Sequence, residues 1–94
     1  MPDEKLARAL RARVRRNMLR EIMSNGRMSV TEVARRLGIS EYSASRHLKL
    51  LYDLGILDFE PRPPEKYYYS RLKNLKELLD AFDRVVDELG RLNR

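Results

Sequence analysis

Few side chains in this sequence of 94 residues can carry out chemistry. It has no cysteine and a single histidine, His47, which leaves no cysteine nucleophile and no disulfide. A zinc site would need carboxylates, or a second subunit, to supply most of its ligands. The sequence also contains no Ser/His/Asp arrangement and no glycine-rich phosphate loop. We therefore predict a protein that is not an enzyme and that holds no cofactor and no metal.

Hydrogen-bond donors and cationic side chains are concentrated between Ser40 and Lys49. At about 100° per residue on a helix, Ala44, Leu48 and Leu51 form one apolar stripe. The opposite side carries donors that suit nucleic acid, because arginine can donate two hydrogen bonds to a guanine edge and lysine can pair with a phosphate. The alternative is an ordinary solvated helix face. We predict that this helix binds DNA through Ser40, Tyr42, Ser43, Ser45, Arg46 and Lys49.

His47 lies beside the apolar stripe, at about 60° from Ala44. Its ring could contact a phosphate or a base, or it could pack against the core with a hydrogen bond to the backbone. Both interpretations stay open at this point. A role as a metal ligand is disfavoured because no second ligand lies nearby in the sequence.

Positive charge is concentrated in the first part of the chain, which has a formal net charge of +6. Residues 1–54 contain 12 Lys/Arg and 6 Asp/Glu, whereas residues 55–94 contain 8 of each. Such asymmetry is typical of a protein with one surface for a polyanion and another task for the remainder. The arginine-rich composition, without tryptophan or glutamine, also points towards a thermophilic source.

Apolar periodicity and capping residues predict the helices that must position these side chains. The stretch Ser29-Val30-Thr31-Glu32 has the form of a capping box. Gly38-Ile39-Ser40 predicts a tight turn, because glycine permits the reversal and serine caps the next helix. We expect a helix over 3–24 that breaks near Ala12, a second from the capping box to Leu37, and a third from Glu41 to Leu54.

The next segment predicts a hairpin over residues 56–70. Leu57 and Phe59 alternate with acidic residues, which is the period of a half-buried strand. Three prolines predict a stiff loop over Pro61–Glu65 that is not a regular strand, since proline lacks the backbone donor. Lys66 then begins the second strand, in which one or two of Tyr67, Tyr68 and Tyr69 pack in the core; the alternative is a stacking platform for single strands. We expect Arg62 and Lys66 to reach the neighbouring groove or backbone of DNA.

Residues 72–93 predict a long helix with an apolar heptad pattern. We expect this stripe to pack against a second copy of the chain, and Asp80, Asp83, Asp87 and Glu88 to pair with most of the arginines in residues 8–20. The alternative for some of these arginines is contact with flanking phosphates of DNA. The predicted dimer interface consists of Leu75, Leu78, Leu79, Phe82, Val85, Val86, Leu89 and Leu92.

The order of these elements is that of a winged helix-turn-helix, mainly α with a small β-hairpin (α+β), in one domain over 1–94. The sequence ARRLGISEYSASRHLKLLYDLGIL at 34–57 resembles the ArsR/SmtB-type family of small dimeric transcription regulators, and YYYSRL at 67–72 looks like the end of that family's wing. The resemblance covers about residues 14–72. It implies a transcriptional repressor and, through the SRHL motif, a DNA contact for His47.

Metal-sensing members of that family carry cysteines on the helix before the recognition helix, or Asp and His ligands on the last helix. Here Ser29–Leu37 has no cysteine and the last helix has no histidine. Carboxylates alone would suit only a weak site for a hard cation. This departure from the family's pattern predicts a regulator that does not sense metal.

We predict a homodimer that binds double-stranded DNA at an inverted repeat, with the two recognition helices about 34 Å apart. A protein–protein interaction module, a non-specific architectural or RNA-binding protein and a metal sensor are the alternatives. No segment predicts a signal peptide or a membrane span, and no feature predicts a small-molecule ligand. We expect a cytoplasmic, nucleoid-associated protein.

Overall fold

The computed structural model describes residues 1–93, which form five helices and three strands. This confirms the mainly helical α+β class. None of the helices in this range is both long and apolar enough to cross a lipid bilayer. In chain order the elements are α1 (Pro2–Leu10), α2 (Arg13–Asn25), β1 (Met28–Ser29), α3 (Val30–Leu37), α4 (Glu41–Asp53), β2 (Asp58–Arg62), β3 (Glu65–Tyr69) and α5 (Leu75–Leu92).

The predicted break between the first two helices is confirmed at Ala12, whose backbone is extended (φ −98°, ψ 131°). The last carbonyls of α1 therefore lose their helical partners. Arginine side chains of α2 replace these partners: Arg15 donates from Nε to the carbonyl of Ala9 (3.1 Å) and from Nη2 to that of Arg8 (2.6 Å), and Arg16 donates to the carbonyl of Leu10. The break thus fixes two guanidinium groups at the junction of α1 and α2.

The capping box at the start of α3 is confirmed. The Ser29 hydroxyl accepts from the amide of Glu32 (3.2 Å), and the Glu32 carboxylate accepts from the amide of Ser29 (2.9 Å). Gly38 ends α3 with φ 68°, a left-handed conformation that other residues adopt at a cost. The Ser40 hydroxyl then accepts from the amide of Ser43 (3.0 Å) and caps α4. These caps set the angle of the recognition helix α4.

The sheet has the order β1-β3-β2, and β1 was not predicted because two residues carry no detectable pattern. The predicted five-residue loop over Pro61–Glu65 is wrong: the strands continue through Pro61 and Arg62, which pair with Lys66 and Glu65. Because β2 is an edge strand, a proline nitrogen that points away from β3 costs no ladder hydrogen bond. Only Pro63 and Pro64 form the turn.

The start of the hairpin also differs from the prediction, because β2 begins at Asp58 and not at Ile56. The amides of Ile56 and Leu57 donate to the carbonyl of Leu51 (2.9 and 3.2 Å) and so close α4. Both side chains are buried in the core.

The apolar stripe Ala44, Leu48 and Leu51 is fully buried, as predicted. It packs in the core formed by α2, α3 and the sheet, which contributes Tyr68. Tyr68 is buried, while Tyr67 and Tyr69 are half-buried, which confirms the core interpretation of this run. The core therefore fixes which side of α4 faces solvent.

Replacing the capping serine should destabilise the protein. Ser29→Ala removes one acceptor from the first turn of α3, and we expect the free energy of unfolding to fall by about 1–2 kcal/mol in urea denaturation. Ser24→Ala, at an exposed position near the end of α2, is the matched control and should change it little. Equal effects of the two substitutions would contradict the capping role.

Candidate nucleic-acid interface

The side of α4 opposite the core is a solvent-exposed surface of polar and cationic side chains. Tyr42 is 73% exposed, and the Arg46 guanidinium lies 5.6 Å from the centre of its ring. Lys49 Nζ is 3.0 Å from Asp53 Oδ2, one turn further along, and both side chains are exposed. Ser45 is exposed between them. We call Tyr42, Ser45, Arg46 and Lys49 the α4 surface; the structure brings these predicted residues together.

Ser40 and Ser43 lie at the start of α4 but in different surroundings. Ser40 is exposed, and its hydroxyl oxygen already accepts the capping hydrogen bond. Ser43 is half-buried on the side of α4 that turns towards α1. They therefore border the α4 surface and do not lie at its centre.

His47 shares the side of α4 on which Ser43 lies. Its half-buried ring lines a surface pocket together with Arg8 of α1, Arg15 of α2 and Arg46. Burial, followed by the positive charges of Arg15 and Arg46, lowers the pKa of His47. Its ring forms no hydrogen bond within residues 1–93, so the packed interpretation lacks its expected backbone partner.

Wing residues Arg62 and Lys66 project to opposite faces of the hairpin, because successive side chains along a strand alternate. The Arg62 guanidinium lies 5.2 Å from the ring centre of Tyr67 and contacts Glu60 Oε1 from Nη2 at 2.8 Å. Lys66 Nζ lies 4.7 Å from the ring centre of Phe59, on the face that meets α4. The structure therefore does not bring these two predicted residues together.

Glu60 also contacts a cation that was not predicted, since Arg27 Nη1 lies 2.7 Å from Glu60 Oε1. Partial burial acts to raise the pKa of Glu60, but the hydrogen bonds and charges of Arg27 and Arg62 outweigh it and lower that pKa. Arg27 also lies over the ring of Tyr69, at 5.0 Å. This outer face of the wing is thus partly neutralised.

The predicted dimer stripe on α5 divides into two parts. Leu75 and Leu79 are 3% and 0% exposed and pack in the core of their own chain, so their prediction as interface residues is wrong. The heptad pattern does not distinguish the two cases, because a helix shows it whether its apolar stripe packs within its own chain or against a second copy. Phe82 and Val86 are half-buried, whereas Leu78, Val85, Leu89 and Leu92 are exposed.

Two arginines hold α5 against α2 at the point where the stripe changes from buried to exposed. Arg16 Nε is 2.7 Å from Asp83 Oδ1, and its guanidinium lies 4.7 Å from the ring centre of Phe82. Arg20 contacts both Asp80 and Asp83. The expectation that most arginines of residues 8–20 pair with α5 is wrong: within residues 1–93, only Arg16 and Arg20 do so.

Arg8 and Arg15 were not predicted to lie beside α4. Seven residues separate them, across a helix break, so no helical period relates them. The hydrogen bonds from Arg15 to the carbonyls of Arg8 and Ala9 place them together. No sequence pattern could have indicated this pocket.

Comparison with known proteins bears on the class of this interface. A family model described as "Helix-turn-helix domain" matches residues 10–58, which is more than half of the chain. The chain belongs to the helix-turn-helix domain family. The match covers α2 to α4 and the start of the wing, and so includes the α4 surface. Among proteins of curated function, none matches the sequence.

Several solved structures share the fold. The antimony-specific transcriptional repressor AntR is 21% identical, with a TM-score of 0.76 over 92% of this chain and 78% of that one. BigR, a transcriptional repressor from Xylella fastidiosa, is 24% identical, with a TM-score of 0.72 over 87% and 83%.

A third structure is the homodimeric winged helix-turn-helix domain of Mb0332 from Mycobacterium bovis, a possible ArsR-family regulator. It is 22% identical, with a TM-score of 0.74 over 93% of this chain and 80% of that one. The winged helix-turn-helix fold and the resemblance to ArsR/SmtB-type proteins are thereby confirmed. The family match and the shared fold place a helix-turn-helix at the α4 surface.

The surroundings of His47 predict a loss of stability on acidification. Because the folded protein has the lower pKa at this ring, the unfolded chain takes up the proton first, and the free energy of unfolding falls as pH decreases through about 6.5. Measured by urea denaturation in phosphate-free buffer between about pH 7.5 and 5.5, the wild type should lose more stability than His47→Gln. Parallel curves for the two proteins would contradict the effect of the pocket on His47.

Proposed function

We propose that this protein is a sequence-specific, homodimeric DNA-binding transcriptional repressor that does not respond to metal. The observation that carries the proposal is the α4 surface, a set of exposed donors on a helix whose other side is fully buried. A helix held in this way can enter the major groove, where Arg46 could donate two hydrogen bonds to a guanine.

Other contacts of the α4 surface would be to the DNA backbone. Lys49 is exposed, and its contact with Asp53 is a surface ion pair of one helical turn, which contributes little stability. The lysine can therefore exchange that partner for a phosphate at small cost. On the wing, Lys66 lies on the face that meets α4. Arg62 lies on the other face and would contact the DNA backbone only by breaking its ion pair with Glu60.

Homodimerisation is supported by the exposed half of the α5 stripe. Val85, Leu89 and Leu92 are 59%, 56% and 78% exposed at a spacing of three and four residues. Burying such side chains is favourable by about 25 cal/mol for each Å² of apolar surface removed from water. Two copies related by a two-fold axis would bury the same surface on both chains and place two α4 helices on an inverted repeat.

The absence of metal sensing is supported by the partners of the acidic residues on α5. Asp80 and Asp83 contact Arg16 and Arg20, so a cation could bind there only by displacing two guanidinium groups. The carboxylate of Asp80 has a lowered pKa because the hydrogen bonds and charges of Arg20 and Lys76 outweigh its partial burial. These carboxylates act as arginine partners in the folded chain.

Loss of Lys49 should weaken binding to every duplex. With Lys49→Ala, we expect the slope of log affinity against log salt to become shallower by about one unit, because one phosphate contact is lost. Fluorescence anisotropy with a labelled random-sequence duplex over a salt series measures this slope. Lys73→Ala, an exposed lysine between β3 and α5, is the matched control and should leave it unchanged.

The duplex experiment separates the proposal from its alternatives. No duplex binding at low salt would favour a protein–protein interaction module. Salt-sensitive binding with equal affinity for all sequences would favour an architectural protein. An unchanged slope for Lys49→Ala, with wild-type binding intact, would remove only the phosphate role of this lysine.

A charge at the centre of the exposed α5 stripe should separate the dimer. Leu89→Asp places a carboxylate where the partner would pack, and its desolvation opposes association. We expect a monomer in sedimentation and loss of the inverted repeat that the wild type selects from a random duplex pool. Asn93→Asp adds the same charge at the end of α5 and should stay dimeric; a dimeric Leu89→Asp would place the interface elsewhere.

A further inference from the structure

The surface pocket beside the recognition helix is lined by arginines from three helices, two of which do not belong to the α4 surface. Arg8 of α1, Arg15 of α2 and Arg46 of α4 converge on it, with Ser43 and His47 on its α4 wall. No carboxylate lines it. In the part of the chain that the structure describes, these three arginines form no ion pair. The pocket therefore concentrates uncompensated positive charge.

The arginine at the back of this pocket is held in place by the backbone. Arg15 donates from Nε to Ala9 (3.1 Å) and from Nη2 to Arg8 (2.6 Å), which fixes its guanidinium and leaves Nη1 for a ligand. Burial, and then the positive charges of Arg11 and Arg8, lowers the pKa of Arg15, but an arginine remains protonated at neutral pH. A fixed and crowded cation of this kind is favourable for anion binding, because little ordering is needed when the anion arrives.

We propose that this pocket binds one phosphate group. Its donors match a tetrahedral oxyanion: the guanidinium of Arg8, the Nη1 group of Arg15, the hydroxyl of Ser43 and the ring of His47, with the positive charge of Arg46 beside them. The phosphate can belong to the DNA backbone or to a free phosphorylated molecule. The first source rests on the proposed function and is favoured by position, because Arg46 and Tyr42 line both the pocket and the α4 surface.

A phosphate on the wall of the groove that α4 enters would lie beside this edge of the helix. The contact would fix the register of α4 on the duplex, while the α4 surface would distinguish bases. The pocket thus adds α1 and α2 to a DNA interface that otherwise consists of α4 and the wing.

His47 is a direct reporter for the pocket because it is the only histidine of the chain. The cations facing it are Arg8 from α1, Arg15 from α2 and Arg46 from its own helix. A bound phosphate would offset these charges and accept a hydrogen bond from the ring, so the pKa of His47 should rise. Since binding then takes up a proton, the affinity for a DNA phosphodiester, which does not itself titrate in this range, should increase as pH falls from about 7.5 to about 6.

The test follows the ring signals of His47 by NMR while inorganic phosphate is added at constant ionic strength. We expect a saturable shift in the wild type and about tenfold weaker binding in Arg8→Met. This substitution removes one charged donor, and the Arg8 side chain donates no hydrogen bond within residues 1–93. Arg84→Met removes the same charge from an exposed position on α5, outside the pocket lining, and should bind phosphate close to the wild-type affinity. Equal weakening in both variants would overturn the pocket in favour of general charge attraction.

The same signals, with a duplex in place of phosphate, distinguish the two sources. A matching His47 shift, with a salt slope shallower by about one unit in Arg8→Met than in Arg84→Met, assigns the pocket to the DNA backbone. A saturable shift with inorganic phosphate alone assigns it to a free phosphorylated ligand.

Two further outcomes separate this proposal from the proposed function. If anisotropy shows duplex binding but His47 responds to neither probe, the pocket proposal is overturned and DNA binding stands. If phosphate binds through Arg8 and no duplex binds, the pocket stands and the proposed function fails.

Discussion

The buried guanidinium of Arg16 is the contact on which the arrangement of the helices depends. It is 4% exposed and reaches the carbonyl of Leu10, the carboxylate of Asp83 and the ring of Phe82, so it joins α1, α2 and α5. Burying a charge is costly unless its donors are paired, and removing one partner of such a pair typically costs about 3–5 kcal/mol. The three helices therefore keep one relative position, because separating them would leave this charge unpaired.

This junction also separates the two tasks of the molecule. On one side of it, Leu75 and Leu79 anchor α5 in the core; on the other, Val85, Leu89 and Leu92 extend into solvent. The same α2 helix carries Arg15 towards α4 and Arg16 towards α5. Adjacent residues on one helix point about 100° apart, so neighbouring arginines can serve the proposed DNA pocket and the proposed dimer helix at the same time.

Local signals predicted much of the fold, and contacts between distant segments account for what they missed. The capping box at Ser29 and the break at Ala12 depend on a few neighbouring residues, and both are confirmed. Pro61 was assigned to a loop because proline lacks a backbone donor. Its strand tolerates proline because it lies at the sheet edge, and that position depends on tertiary structure. Leu75 and Leu89 belong to the same heptad series, yet only packing in the folded chain decides that Leu75 is buried and Leu89 is exposed. The α4 surface followed from the periodicity of one helix, whereas the pocket of Arg8 and Arg15 required the folded chain.

The distribution of paired charges focuses the positive potential of the molecule on α4. Salt bridges to acidic residues neutralise Arg16, Arg20, Arg27 and Arg36, although all belong to the basic first part of the sequence. The cations beside α4 are held differently: Arg15 by backbone carbonyls and Arg46 by the ring of Tyr42, neither of which cancels a charge. Exposed charges separated by more than about 10 Å are screened at moderate salt, so a local cluster acts more strongly on a polyanion than the net charge does. Attraction of a polyanion therefore depends less on the net charge of +6 than on which arginines pair with a carboxylate.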